Sequence, residues 1–348
     1  MKKILLHLIA AAAIFTACDN KISDTDTMGG GNVLILNNGN WGGNDACITL
    51  YDINTGTVTA KAFQKANDVN LGDLGQDVIA SGDELYIAVN GSQVVFVTDK
   101  ELKIKKSIIA EAEGNRLSPR YLCRNGDKIY VTYYEGYLGE IDPARDYAVK
   151  TVKVGANPDG LAYAGGKLYV ANSGGMNYPV YDNTLSVVNA STFEVESTIQ
   201  VNTNPAKVLA SKAGKIYVTS YGNYADIPAK IQSIDIASGK VTDLPYENVS
   251  AAAMGRDDRL YVMCGGYDQM WNPLPGTVYI HGDSPTAFVT DQTTFPDAYS
   301  ISATDDGYVY VCCSDYKNTG DIYMMTPEGT LKAKFDSEGL NPTAVINY

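Results

Sequence analysis

A short run of apolar and polar positions returns along this chain at nearly even spacing. Six copies read as an apolar residue, then Tyr, then a β-rich tail: Leu85-Tyr86-Ile87-Ala88-Val89-Asn90, Ile129-Tyr130-Val131-Thr132, Leu168-Tyr169-Val170-Ala171-Asn172, Ile216-Tyr217-Val218-Thr219-Ser220, Leu260-Tyr261-Val262-Met263-Cys264 and Val309-Tyr310-Val311-Cys312-Cys313. A seventh, Val33-Leu34-Ile35-Leu36-Asn37-Asn38, lacks the Tyr. Successive Tyr positions lie 44, 39, 48, 44 and 49 residues apart, and Leu34 lies 52 before Tyr86. That is the length of a four-stranded propeller blade, not of a helical repeat. Ahead of each Tyr strand ends a segment of small apolar residues (Val78-Ile79, Tyr121-Leu122, Leu161-Ala162, Val208-Leu209, Ala252-Ala253, Ser300-Ile301), which suits the crowded innermost strand of a blade. Turns such as Ser81-Gly82-Asp83 and Asn125-Gly126-Asp127 join the two as hairpins. Two outer strands follow with more alternation, for example Ile48 to Tyr51 and Thr57 to Ala60.

The pattern predicts an all-β, seven-bladed β-propeller with four-stranded blades over residues 32–348. The first blade has no inner strand ahead of Val33. Its counterpart stands at the other end, where Asn341-Pro342-Thr343-Ala344-Val345-Ile346 matches Asn157-Pro158-Asp159-Gly160-Leu161-Ala162 and Asn204-Pro205-Ala206-Lys207-Val208-Leu209. Seating that strand inside the first blade closes the ring and removes two open sheet edges. Because the repeat runs almost end to end, one large domain is expected for the 348 residues, against the several that length alone suggests.

The first 17 residues break the pattern: Lys2 and Lys3 precede an apolar run from Ile4 to Ile14, too short to span a bilayer, and small residues follow. This reads as a secretion signal. Phe15-Thr16-Ala17-Cys18 resembles a bacterial lipobox, which would make Cys18 the lipidated first residue, with residues 18–31 as a polar, flexible tether. The alternative is ordinary signal cleavage with an unused Cys18. On the lipobox reading the protein hangs from a membrane by its lipid and this tether alone.

Net charge changes the list of partners. Lys and Arg number 27 against 40 Asp and Glu, a balance of −13 that becomes −15 once Lys2 and Lys3 leave with the signal. Such a surface repels phosphate backbones and anionic lipid, so no nucleic-acid partner is expected. Cys47, Cys123, Cys264, Cys312 and Cys313 show no metal spacing and read as small buried apolar residues, with a disulfide between Cys264 and the Cys312-Cys313 pair as the open alternative.

The candidate chemistry gathers on one face. In an up-and-down blade, the loop after the second strand and the loop entering the first open on the same side. The second-strand loops are rich in aromatics and Asn: they carry Trp41, Tyr133, Tyr134, Tyr137, Asn172, Tyr178, Tyr221, Tyr224, Tyr267, Trp271 and Tyr316. Tyr and Trp bring rigid contact area with a polar handle, and this mixture suits a recognition surface. A lid of loops packed on each other is the plainer alternative. The inner-strand entrances add Asp77, Arg120, Asn157, Asp159, Asn204, Asp297 and Asn341. Each Asn there also fits simple turn initiation, whereas Arg120 and Asp159, as charges near the axis, are better ligand candidates. Asp77, Asp159 and Asp297 offer an axial divalent-cation site as a minor alternative. Beyond the signal the only histidine is His281, on an outer segment and read as a surface residue, so Ser-His or Cys-His catalysis has no evident base.

The stretch from Asn157 to Gly174, Asn-Pro-Asp-Gly-Leu-Ala followed by Lys-Leu-Tyr-Val-Ala-Asn-Ser-Gly, resembles the YncE-like propellers over Gly31 to Tyr348. With the lipobox, Asp19, Asp24 and Asp26 soon after Cys18, and the Tyr-rich loops, the chain also resembles surface lipoproteins of Bacteroides-type bacteria, which implies an outer-membrane lipoprotein exposed at the cell surface. Among these the BtuG-type propellers capture cobalamin outside the cell and pass it to an outer-membrane transporter. The resemblance implies a cobalamin ligand and carries no residue-level cobalamin motif. The resulting expectation is a monomeric, non-catalytic capture protein for a bulky, partly polar small molecule, without a resident cofactor. A glycan-binding or protein-docking propeller and a propeller lyase or lactonase are the alternatives.

Overall fold

The computed structural model describes residues 31–267 and 273–348. The expected leader, Cys18 and most of the tether lie outside the described residues, as do Trp271 and the side chain of Tyr267. The described residues form seven four-stranded antiparallel sheets, each with its strands in up-and-down order. Each inner strand packs against the inner strand of the next blade, and the last blade packs against the first. This is the seven-bladed propeller expected from the repeat.

Closure occurs as the terminal match implies. Pro342–Asn347 pairs antiparallel with Asn32–Asn37, setting Val33 opposite Asn347 and Val345 opposite Ile35. One sheet therefore joins the two ends of the domain.

The repeated strand is apolar at nearly every position because it sits second from the axis, flanked within its sheet and pressed by a neighbouring blade on each face. Period-two alternation sends its side chains into two different cores. In the second blade, Leu85 and Ile87 enter the core against the first blade while Tyr86 and Ala88 enter the core against the third. In the third blade Ile129, Val131 and Tyr133 face back toward the second, and Tyr130 faces the fourth. Each such side chain removed from water contributes about 1.5–3 kcal/mol.

The same alternation decides the cysteines. All five described cysteines are buried, and none is in a disulfide. Cys264, Cys313 and Cys312 enter three separate inter-blade cores, so the disulfide considered between them does not form. His281 is not a plain surface residue: it follows the third strand of the sixth blade, Pro273–Ile280, half-buried, with Nδ1 3.2 Å from the Tyr246 hydroxyl and its ring edge-on to Tyr217. Some of the described elements add to the repeat. A short helix, Ala62–Asn67, plugs Phe63 between the first two blades, and a small hairpin pairs Glu111–Ala112 with Asn115–Arg116.

Candidate functional site

The rim that presents the site is built by one hydrogen bond repeated around the ring. The residue just before each inner strand accepts, through its carbonyl, the N–H of the residue just past the second strand or, in the sixth blade, at that strand's register shift: Asn341 from Asn38, Leu74 from Asn90, Ser118 from Tyr134, Asn157 from Ser173, Asn204 from Tyr221, Asn248 from Gly265 and Asp297 from Ser314. Six of these seven acceptors, all but Ser118, have positive φ, a conformation Asn and Asp adopt at less cost than other side chains. Asn157, Asn204 and Asp297 thus shape the rim. Asn157 also ties two loops together, donating to the Tyr134 carbonyl at 3.0 Å and accepting from Met176 N at 3.1 Å.

Just inside this rim every inner strand shifts register against its neighbour. Such a bulge re-aims the adjoining side chains. The positions entering the shift hold Gln76 and Asp77 in the second blade, Arg120 and Tyr121 in the third, Asp159 in the fourth, Lys207 in the fifth and Tyr299 in the seventh.

At the centre, the Arg120 guanidinium grips Asp159 through Nε at 2.9 Å and Nη2 at 2.8 Å, both to Oδ1, while Nη1 donates to Gln76 Oε1 at 2.8 Å. The guanidinium lies 4.9 Å from the Tyr134 ring centre and 5.7 Å from that of Tyr121. Lys207 Nζ sits 4.8 Å over the ring of Tyr121, and Asp77 Oδ2 accepts Leu122 N at 2.9 Å. Burial pushes the Asp159 and Asp77 carboxyls upward, opposed by Arg120 at the first and by Lys207 at the second. The Arg120 guanidinium resists the same burial through Asp159 and remains charged. A guanidinium therefore occupies the place where an axial cation was considered, and Asp297 stands exposed on the rim.

Tyrosines surround this pair. Tyr178 meets Tyr181, Tyr181 meets Tyr224, Tyr224 stacks on Tyr221, and Tyr299 meets Tyr316, with ring centres 5.6 to 6.5 Å apart. Tyr221 is 40% exposed, yet burial is the main force raising its phenol, as it is for Tyr299, which is pushed up to about 12. Reachable by solvent and crowded by protein at once, these rings gather at the mouth of the ring of blades. Tyr121, Tyr134, Tyr221 and Tyr299 all feel the charge of Arg120. Below lies an axial cavity of about 230 Å³, with Asp77 and Lys207 among its lining residues and Ala162, Ala210 and Ala252 on its walls.

The structure thus brings Arg120, Asp159, Asp77, Tyr134, Tyr178, Tyr221, Tyr224 and Tyr316 to one mouth. It separates others. Tyr133 is 1% exposed in the core between the second and third blades. Tyr137 packs outward under Lys153, and Asn172 is buried, accepting Gly155 N and donating to Thr184 and Ser186. Trp41 is 87% exposed on its own loop. Tyr121, Tyr181, Tyr299, Lys207 and Gln76 belong to the mouth and were not among the expected residues.

The buried Tyr133 hydroxyl has no hydrogen-bond partner among the described residues. Tyr133→Phe will therefore leave ligand binding unchanged and hold or raise the melting temperature, by up to about 1 kcal/mol of stability. A drop of several degrees in a thermal melt would contradict this placement.

Solved structures share the fold at low identity. A Bacteroides uniformis protein provisionally named a 6-phosphogluconolactonase is 11% identical over 90% of this chain and 98% of its own, with a TM-score of 0.63. A Bacteroides fragilis protein under the same provisional name is 15% identical over 93% and 99%, with a TM-score of 0.62. Hydrazine synthase of Kuenenia stuttgartiensis is 18% identical over 73% and 77%, at 0.58. At these identities the likeness is one of fold. No curated protein matches the chain. Residues 31–341 match the family described as a domain of unknown function, DUF5074, and the chain is a member of that family.

Proposed function

We propose that the tyrosine-lined mouth captures a bulky, partly polar small molecule, cobalamin or a related corrinoid, without transforming it, and hands it to an outer-membrane transporter. In this reading Cys18 carries a lipid that tethers the propeller at the cell surface. The observation that carries the reading is the mouth itself: at least four tyrosines, exposed yet crowded, around a fixed Arg120–Asp159 pair. Rings held by a closed propeller present a preformed surface, so little ordering is lost when a broad ligand settles on them. The described residues offer no imidazole there, since His281 lies between the fifth and sixth blades.

Titration calorimetry of the purified protein with cyanocobalamin tests this. Micromolar or tighter binding is expected, about −8 kcal/mol or better. Tyr221→Ala will weaken it by roughly tenfold, the worth of one aromatic contact. A titration without heat would overturn the corrinoid reading, and turnover of a sugar lactone would move it to the activity for which two structural neighbours are provisionally named.

A further inference from the structure

The mouth is rich in donors that no described residue uses. Among the described residues the ammonium of Lys207 makes no hydrogen bond and no ion pair, its one close partner being the face of Tyr121. The hydroxyls of Tyr121, Tyr134, Tyr221 and Tyr299 likewise find no hydrogen-bond partner, although these residues sit within electrostatic range of Arg120. Arg120 is different, since three of its nitrogens are committed to Asp159 and Gln76. Asp77 and Asp159 both feel the charge of Lys207, but Asp77 spends an oxygen on Leu122 N, Asp159 is held by Arg120, and neither forms an ion pair with the lysine. The backbone N–H of Lys207 donates to Thr219 Oγ1 at 3.3 Å, which helps hold the base of the side chain. Among the described residues the cation at the axis that is left without an ion pair is therefore Lys207, set at the floor of the mouth where the axial cavity begins.

Lysine offers three donors and no acceptor, and a phenol donates one proton. A site with this surplus is complementary to an acceptor-rich ligand. On the capture reading above, we infer that the ligand carries an oxyanion, a carboxylate or a phosphate, which Lys207 binds at the axis while the tyrosine hydroxyls donate to further oxygens. The chain as a whole, at −13, repels anions, so the recognition is local.

Cyanocobalamin carries a phosphodiester and cobinamide lacks it, which makes the pair a test. In calorimetry, Lys207→Met will weaken cyanocobalamin about tenfold and leave cobinamide unchanged, and Lys207→Arg will retain most of the affinity. In parallel, inorganic phosphate at matched ionic strength will raise the melting temperature of the wild-type protein and not of Lys207→Met. Equal behaviour of wild type and Lys207→Met in both arms overturns the inference and leaves the capture reading standing. An equal loss for both corrinoids also overturns it, as damage to the mouth rather than loss of an anion contact. A phosphate response that depends on Lys207, without any corrinoid binding, overturns the corrinoid ligand and supports the oxyanion site.

Discussion

Truncation after Leu340 will abolish the cooperative thermal transition of the propeller. The lost segment is the innermost strand of the first blade, and it is held on every side. Val345 is buried in the core shared by the seventh and first blades, while Ala344 and Ile346 pack into the core between the first and second. Asn341 donates to the Gly39 carbonyl at 2.9 Å and accepts the Ser314 hydroxyl at 2.7 Å. Ser300 and Ser302 of the seventh blade hydrogen-bond the backbone of the missing strand at Pro342 and Val345. Losing the apolar burial alone costs about 5 kcal/mol, comparable to the whole stability of many domains. The cut also exposes the unpaired edge of Asn32–Asn37. Circular dichroism melting of the truncated chain checks this, and an unchanged midpoint would contradict the closure.

The second large effect is expected at the axis. Arg120→Met leaves Asp159, whose side chain is only 9% exposed, without its partner. Breaking a buried pair from one side costs about 3–5 kcal/mol, and the Tyr134 ring loses its cation as well. Burial already pushes the Asp159 carboxyl above its ordinary value against the pull of Arg120. Without Arg120 it will rise further, so the folded variant will hold a proton that the unfolded chain releases near pH 4. Stability of the variant will therefore fall as pH rises from that point toward the folded value, and recover on acidification. The double variant Arg120→Met, Asp159→Asn will regain much of the loss at neutral pH. Melting curves across pH measure both, and a single variant as stable as wild type at pH 7 would show the pair to be solvated.

How much of this is legible from residues depends on what each signal reports. The Tyr strands announce the ring because a strand buried on both faces must be apolar at nearly every position, and a run such as Leu85 to Val89 has few other uses. The Asn-Pro sequences mark the inner-strand entrances, and their turn-forming explanation describes Asn157 and Asn204 well. Tyr133 shares parity with Ile129 and Val131 and so belongs to their core, while Tyr134, one residue on, leaves the ladder and lies over Arg120. Counting in twos from the apolar strand would have divided that pair. Tyr121, Lys207 and Tyr299 are harder to find, because each stands inside what reads as an ordinary inner strand. They are exposed to the mouth by a register shift that no residue type announces. Charge pairing is similarly invisible: Arg120 and Asp159 lie in neighbouring blades, 39 residues apart, and only the ring brings them together.

The most direct test of the central claim is a crystal structure of the protein soaked with cyanocobalamin. Corrin density lying over Tyr121, Tyr134, Tyr221 and Tyr299, above the Arg120–Asp159 pair, is the predicted result. Density on the opposite rim, or an empty mouth at saturating ligand, would contradict it.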